Sequence, residues 1–442
     1  MFFLEFGVVL LMLFLGARLG GIFLGMAGGI GLAILAFVFH LTPSSPPIDV
    51  MLIIISVVVA ASTLQAAGGM DYLIEIAESI LRKNPDRITF VAPFVAYLFT
   101  FLSGTGNVVY SILPVIAEVA RESGVRPERP MSVSVIASQQ AITACPISAA
   151  TVTLVGLLAP FNISLIDILL VCIPATILGV LAACLYANKV GKELDADPEY
   201  LARVEKGLIP PLAEKKPINL AASATGGAKL SVALFLLGAA LVVCFGTFPN
   251  LRPILSYDGK LLPMSMTHTI EITMLVISGL MVLLCKVNVG KIVAGSVFQS
   301  GMMGIVCIFG LAWMGDTLVS NNMPLIKQQV QTVINAYPWV FALALFAVSS
   351  LIMSQAATVR ALMPLGISLG IPPYILVGIF PSVNGYFFFP NYATLIAGVA
   401  FDRTGTTKIG KYVLNHSYMI PGLIATGVGV AAALLLGRVF IL

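Results

Sequence analysis

Apolar runs follow one another from end to end of this chain, separated by short polar turns, and no run shows the two-residue alternation of a half-buried strand. Most are long enough to cross a bilayer as a helix, for which about 20 residues suffice. The pattern predicts five crossings near 2–17, 21–40, 50–68, 131–160 and 163–187, and five more near 229–248, 268–285, 292–320, 374–401 and 414–437. Two pairs of shorter runs interrupt the series. Residues 88–103 and 106–120 flank "SGTGN" (103–107), and 338–353 and 356–370 flank "SQAAT" (354–358). A helix of about 16 residues reaches only about 24 Å across a core of about 30 Å. Each pair is therefore expected to enter the membrane and turn back, giving re-entrant hairpins at 88–120 and 338–370. The first run carries Glu5 where a signal peptide would be basic, so it is read as a retained first helix.

The same landmarks recur in order. "GTGNVVYSILP" (104–114) matches "SQAATVRALMP" (354–364), "SQQAITACPISAAT" (138–151) matches "SVNGYFFFPNYAT" (382–394), and "MDYLIEIAESILRKNP" (70–85) matches "MPLIKQQVQTVINAYP" (323–338). An ordered series of this kind predicts a duplication, with repeats at 1–188 and 229–442 joined by a cytoplasmic linker at 189–228. Five crossings per repeat is an odd number, so the two copies are expected to be inverted. The predicted fold class is thus an all-α polytopic membrane protein made of two inverted repeats, each with five transmembrane helices and one re-entrant hairpin.

Composition agrees with this. The chain is 59% hydrophobic and 10% charged, with mean hydropathy +1.02, which excludes a water-soluble domain of this length. Its net charge of +4 does not call for nucleic acid. The ten-crossing arrangement sorts the basic residues instead: of the 24 Lys and Arg, nineteen fall on one face, four (Arg252, Lys260, Lys327 and Arg438) on the other, and Arg360 lies within the membrane region. The basic face is expected to be cytoplasmic and both termini periplasmic. Cys145, Cys172, Cys184, Cys244, Cys285 and Cys307 all lie in apolar segments without CxxC or His pairing, so they read as packing residues, and neither a metal nor a cofactor is expected. No HExxH, GxSxG or paired intramembrane carboxylates suggest an enzyme.

Four breaks carry the candidate chemistry: the tips "SGTGN" and "SQAAT", and "TACPIS" (143–148) and "FFPNYAT" (388–394) within the 131–160 and 374–401 crossings. Irregular backbone at membrane depth is tolerated only against protein or a cavity. Interrupted helices in inverted repeats are how secondary transporters build a midplane site. A half-helix starting at such a break offers free N–H groups and a partial positive charge that suit an anion. Candidate substrate-binding residues are Gly104, Thr105, Gly106, Asn107, Gln140, Thr143, Pro146, Ser148, Ser354, Gln355, Ala356, Ala357, Thr358, Arg360, Asn384, Pro390, Asn391 and Thr394, with Ser138 as a further hydroxyl. Any one hydroxyl could equally bond the carbonyl four residues back. Arg360 is suited to pairing a carboxylate, either a ligand's or that of Asp316. Asp316 itself is a coupling candidate or a cap for a separate helix at 321–336. His40, His268 and His416 fall at expected interfaces, and Tyr110 and Tyr386 read as packing residues.

At these positions the sequence resembles the anaerobic C4-dicarboxylate transporter family, Dcu, most of all its A-type members. "GARLGGI" (16–22), "LRKNP" (81–85), "GTGN" (104–107), "RPERP" (126–130), "GDTLVSNN" (315–322), "SQAAT" (354–358), "FDRTGTTKIGK" (401–411) and "NHSYMIPG" (415–422) carry the resemblance. It implies a carrier of the bacterial inner membrane that exchanges aspartate, fumarate, succinate or malate. It also implies a layout like the ion-transporter superfamily, whose members are homodimers that work by an elevator mechanism. Sodium-coupled proteins of that superfamily carry Ser-Asn-Thr at the hairpin tips, which "SGTGN" and "SQAAT" do not match.

Overall fold

The computed structural model describes residues 1–442 except 20, 21, 47, 210–225, 258, 259, 391 and 411–413, and for Asn107 and some other helical positions it describes the backbone alone. Among the described residues the chain is helical almost throughout. Six helices among the described residues are long and apolar enough to cross a bilayer by themselves, and a seventh span arises if Met51–Ala66 and Gly69–Lys83, which meet at 73°, count as one. The bend sits at Gly68, whose φ of 79° is the left-handed conformation that glycine adopts without penalty.

Two bodies can be distinguished by their partners. One contains Phe2–Leu19, Phe23–Ala33, Ile48–Ala66, Gly226–Thr247, Met266–Cys285 and the 41-residue helix Ser296–Ala336. Here Phe23–Ala33 packs on Ser296–Ala336, and Ile48–Ala66 on Met266–Cys285. The first contact is close because Gly25 and Gly310 meet backbone to backbone, where a Cβ on Gly310 would overlap the Gly25 carbonyl. Small residues are the usual means of bringing helices together where lipid removes the hydrophobic drive. In the second contact the Thr63 and Ser278 hydroxyls are hydrogen-bonded at 2.7 Å.

The other body holds two helical hairpins, two interrupted helices, and the pair Leu165–Ala187 and Met419–Phe440. The first hairpin is Ile88–Ser103 with Val109–Glu122, and the second is Phe341–Ile352 with Gln355–Ser368. The interrupted helices are Glu128–Gln140 with Ala149–Leu158, and Pro373–Ile379 with Ala393–Phe401. The packing is reciprocal between the two halves of the chain. Gln355–Ser368 lies on Ala149–Leu158, while its counterpart Val109–Glu122 lies on Ala393–Phe401, and Leu165–Ala187 pairs with its own counterpart Met419–Phe440.

Two expectations need correcting, and the linker adds a detail. The crossing near 292–320 does not stop there: the helix continues to Ala336 through Pro324. The Asn321 and Asn322 side-chain amides bond the carbonyls of Thr317 and Leu318 one turn back, just before the proline. Asp316 therefore lies inside a continuous helix and caps nothing. Second, the chain is not wholly α-helical, because Ile254–Tyr257 and Lys260–Pro263 pair as an antiparallel ribbon; the Asp-Gly dipeptide between them in the sequence is a hairpin signal. The 189–228 segment holds a short helix, Pro198–Glu205, whose first amides bond the Asp197 carboxylate.

Candidate substrate site

Each interruption is built locally. Ile88–Ser103 ends at Gly104, which takes a left-handed φ of 72°, and a 3₁₀ turn at Gly106–Val108 leads into the return helix. At the second tip Met353 is left-handed (φ 55°), and the Ser354 hydroxyl accepts from the Ala357 N–H at 3.2 Å. Between Gln140 and Ala149 the helix tightens to a 3₁₀ turn at Ala141–Ala144, extends at Cys145, and restarts under the Ser148 hydroxyl, which accepts from Thr151 N–H at 3.2 Å. The last interruption is a 3₁₀ stretch, Phe380–Phe387, before Ala393–Phe401 begins at Tyr392.

All four interruptions border one cavity of about 180 Å³. Its lining takes Ser103, Gly104, Thr105 and Gly106 from the first tip, Ile147, Ser148, Ala149 and Ala150 from the first interrupted helix, Ser354, Gln355 and Ala356 from the second tip, and Tyr392 from the last break. The other body closes it with residues that include Val57, Val58 and Gly301. No charged side chain lines it. Two helices from different halves of the chain begin at its wall, and the first N–H groups of a helix have no partner within it. Because the Ser148 and Ser354 hydroxyls serve Thr151 and Ala357, the amides of Ala149, Ala150, Gln355 and Ala356 are left for an occupant.

Behind the cavity an amide network joins three of the broken elements. Gln355 Nε2 donates to Gln139 Oε1 (2.9 Å) and Asn384 Oδ1 (3.3 Å). Asn384 Nδ2 donates to Gln140 Oε1 (3.1 Å) and approaches the Thr143 hydroxyl (3.4 Å), while Gln140 Nε2 donates to Thr426 (2.9 Å). Gln139 itself is 1% exposed, lines the cavity, and its Nε2 has no hydrogen-bond partner among the described residues. A buried orphan amide costs about 1–3 kcal/mol, so an acceptor is expected there. Gly106 faces this amide so closely that a Cβ at that position would overlap it.

The sequence-derived residues divide accordingly. Gly104, Thr105, Gly106, Ser148, Ser354, Gln355 and Ala356 line the cavity. Gln140, Thr143 and Asn384 are buried one layer back in the network. Pro146 and Pro390 are buried at their breaks, and Ala357 is buried in its helix. The hydroxyls of Ser138, Thr143 and Thr358 bond carbonyls three or four residues back, at 2.8, 2.9 and 2.8 Å. Thr394 is fully buried with its hydroxyl unpartnered among the described residues. Asn391 and the Asn107 side chain lie outside the described residues. Arg360 does not line this cavity; its Nε stands 3.5 Å from Asp316 Oδ2, and it borders a second, larger cavity. Gln139 and Tyr392 were missed by the sequence reading. A helix buried on every side, as Glu128–Gln140 is, offers no periodicity to say which of two adjacent glutamines faces a ligand.

A cavity bordered by two hairpin tips and two interrupted helices inside an apolar helical protein is the architecture of a membrane transporter. Residues 1–441 match the family described as anaerobic C4-dicarboxylate membrane transporter, and the chain belongs to it. It is 44% identical over 438 residues to the C4-dicarboxylate transporter DcuA of Escherichia coli (strain K12), covering 99% of each chain. It is 41% identical over 443 residues to the DcuA of Wolinella succinogenes, again covering 99% of each. Against the anaerobic C4-dicarboxylate transporter DcuB of Escherichia coli O157:H7 the identity is 41% over 452 residues, with 100% of this chain and 98% of the relative covered. These proteins are transporters, not enzymes. In fold the chain is similar to MtrF of Neisseria gonorrhoeae, from a class of antimetabolite efflux pumps, with TM-score 0.53 at 13% identity over 93% of this chain and 85% of that one.

Proposed function

We propose that this protein exchanges C4-dicarboxylates (aspartate, fumarate, succinate or malate) across the bacterial inner membrane by alternating access, with the dianion held in the four-break cavity. One observation carries the reading: two helix N-termini and the orphan Gln139 amide converge on a cavity with no charged lining. Partial charges of that kind hold an anion without leaving a buried ammonium or guanidinium behind when it departs. The relatives named C4-dicarboxylate transporters support the substrate class.

The reciprocal packing of the two halves supports inverted repeats at 1–188 and 229–442, with hairpins at 88–120 and 338–370 entering from opposite faces. In this reading the hairpins and interrupted helices move as one body against the other, the substrate travelling with them as in an elevator. The carrier works as a homodimer, both its termini lie in the periplasm, and the linker at 189–228 lies in the cytoplasm. The Arg360–Asp316 pair joins Gln355–Ser368 to Ser296–Ala336 across the two bodies, so it must part or move when they slide, which is where Asp316 would act in coupling.

The test is exchange in proteoliposomes. Vesicles preloaded with fumarate should take up labelled aspartate or succinate with saturation and trans-acceleration. Uptake no greater than in empty vesicles overturns the reading, and competition by tricarboxylates or inorganic anions in preference to dicarboxylates would reassign the substrate.

A further inference from the structure

The cavity that Arg360 borders is larger, about 720 Å³, and it shares Ile53 with the four-break cavity, so the two adjoin. Its wall is made largely by the segments around 152–165, 246–252 and 265–267, where helices end or begin. Arg252 and Arg360 are its charged lining residues, and no carboxylate lines it. Thr153, Asn162, Ser164 and Thr267 add hydroxyl and amide groups.

The two guanidiniums differ. Arg360 stands beside Asp316, which balances its charge. Arg252 forms no ion pair among the described residues; its Nη1 donates to the Met264 carbonyl at 2.9 Å, and its Nε is buried without a partner. A low-dielectric cavity walled by one sign of charge concentrates ions of the other sign. A half-buried guanidinium fork with unused donors is suited to a carboxylate.

We infer that this larger cavity is an anion-binding antechamber, in which Arg252 takes one carboxylate of an arriving dicarboxylate before it passes Ile53 to the four-break cavity. The assignment rests on the transport reading for its ligand and on the wall's own charge for its sign. The antechamber is electropositive, whereas the inner site is neutral. The outer site gathers substrate and the inner one selects it.

The charge of the chamber can be read without transport. Thr267→Cys supplies a reporter thiol, and Thr153→Cys does so in a second variant in case the first misfolds. Its reaction with the anionic reagent methanethiosulfonate ethylsulfonate is compared with that of the cationic ethyltrimethylammonium analogue, each rate divided by the rate for free 2-mercaptoethanol. The chain without the added cysteine gives the background from native thiols. The anionic reagent should be favoured roughly three- to tenfold. Arg252→Gln should bring the ratio close to one, Arg252→Lys should restore it, and added succinate should slow the reaction. A ratio near one in the parent, or one untouched by Arg252→Gln, overturns the inference. Exchange is measured on the same preparations: loss of charge bias with exchange intact removes the antechamber alone, and charge bias without any exchange removes the transport reading alone. Where both hold, Arg252→Gln should raise KM several-fold and flatten its dependence on ionic strength.

Discussion

Two polar regions of this molecule are built on opposite plans. Around Arg126 and Arg129 every charge is answered. Arg126 pairs with Glu128 at 2.6 Å and with Asp197, while Arg129 holds Glu193 at 2.7 Å and the carbonyls of Val190 and Gly191. Glu128 also accepts from the Ser417 hydroxyl at 2.6 Å, and its N–H donates to Thr406 at 3.1 Å. Asp402 collects the hydroxyls of Thr404 and Thr406 and the amide of Thr407. This clasp ties the segment after Leu165–Ala187 to the loop before Met419–Phe440. The four-break cavity, by contrast, is lined by no charged side chain and leaves amide donors unanswered among the described residues. Ion pairs suit a joint that must keep its shape, because breaking one strands a charge. Open neutral donors suit a site that must fill and empty.

That contrast can be broken at either region. Arg126→Ala should have the largest effect, on stability alone. It strands two carboxylates in a place where the arginine side chain is 10% exposed, so a loss of about 2–4 kcal/mol is expected, read as a lower melting temperature in detergent. The KM of whatever remains folded should not move. Gln139→Ala should do the reverse: the melting temperature falls only slightly, because removing the orphan donor offsets the lost acceptor of Gln355 Nε2, while exchange efficiency falls about tenfold, or about 1.4 kcal/mol. Unchanged exchange would demote Gln139 to packing.

Gly104→Ala comes next. The added Cβ sits at φ 72° and 3.0 Å from Ile147, across the break. It should cost about 1–2 kcal/mol and raise KM, since both the first tip and the Ile147–Ala150 wall shift. The smallest effect is one of pH. Burial pushes the Asp197 carboxyl up, but the amides of Tyr200 and Glu199 and the Arg126 guanidinium outweigh it and hold the group below its ordinary value. A depressed carboxylate stabilises the fold above its unfolded pKa and loses that contribution as pH falls through the folded one. The stability gap between the parent and Asp197→Asn should therefore be constant above about pH 4 and close below it. A gap that widens on acidification would mean that another group carries the effect.

Much of this was readable before any coordinates, for physical reasons that also mark the limit. Gly104 and Pro146 stood out because a helix in lipid cannot be interrupted without leaving backbone groups to satisfy, and so few residues do it. Ser148 and Ser354 followed as hydroxyls beside those breaks, and that they cap the restarting helices came only from the fold. What could not be read was direction around a helix. Gln139 and Gln140 are adjacent and both buried, yet one faces the cavity and the other Thr426. Arg360 was left between a ligand's carboxylate and that of Asp316, because a guanidinium in lipid demands a partner but sequence does not say which; its Nε stands 3.5 Å from Asp316, on a helix whose continuation past Pro324 the breaker residues had concealed. Tertiary contacts decided both cases.

The central claim is that a dicarboxylate lies where the four interruptions meet. A cryo-electron-microscopy structure of the protein in lipid nanodiscs with saturating fumarate tests it directly. The account expects ligand density within hydrogen-bonding distance of Gln139 Nε2 and the amides at Ala149–Ala150 and Gln355–Ala356, and weaker density in Gln139→Ala when fumarate is lowered to near the parent's Kd. An empty four-break cavity, with fumarate bound elsewhere in the chain, would contradict it.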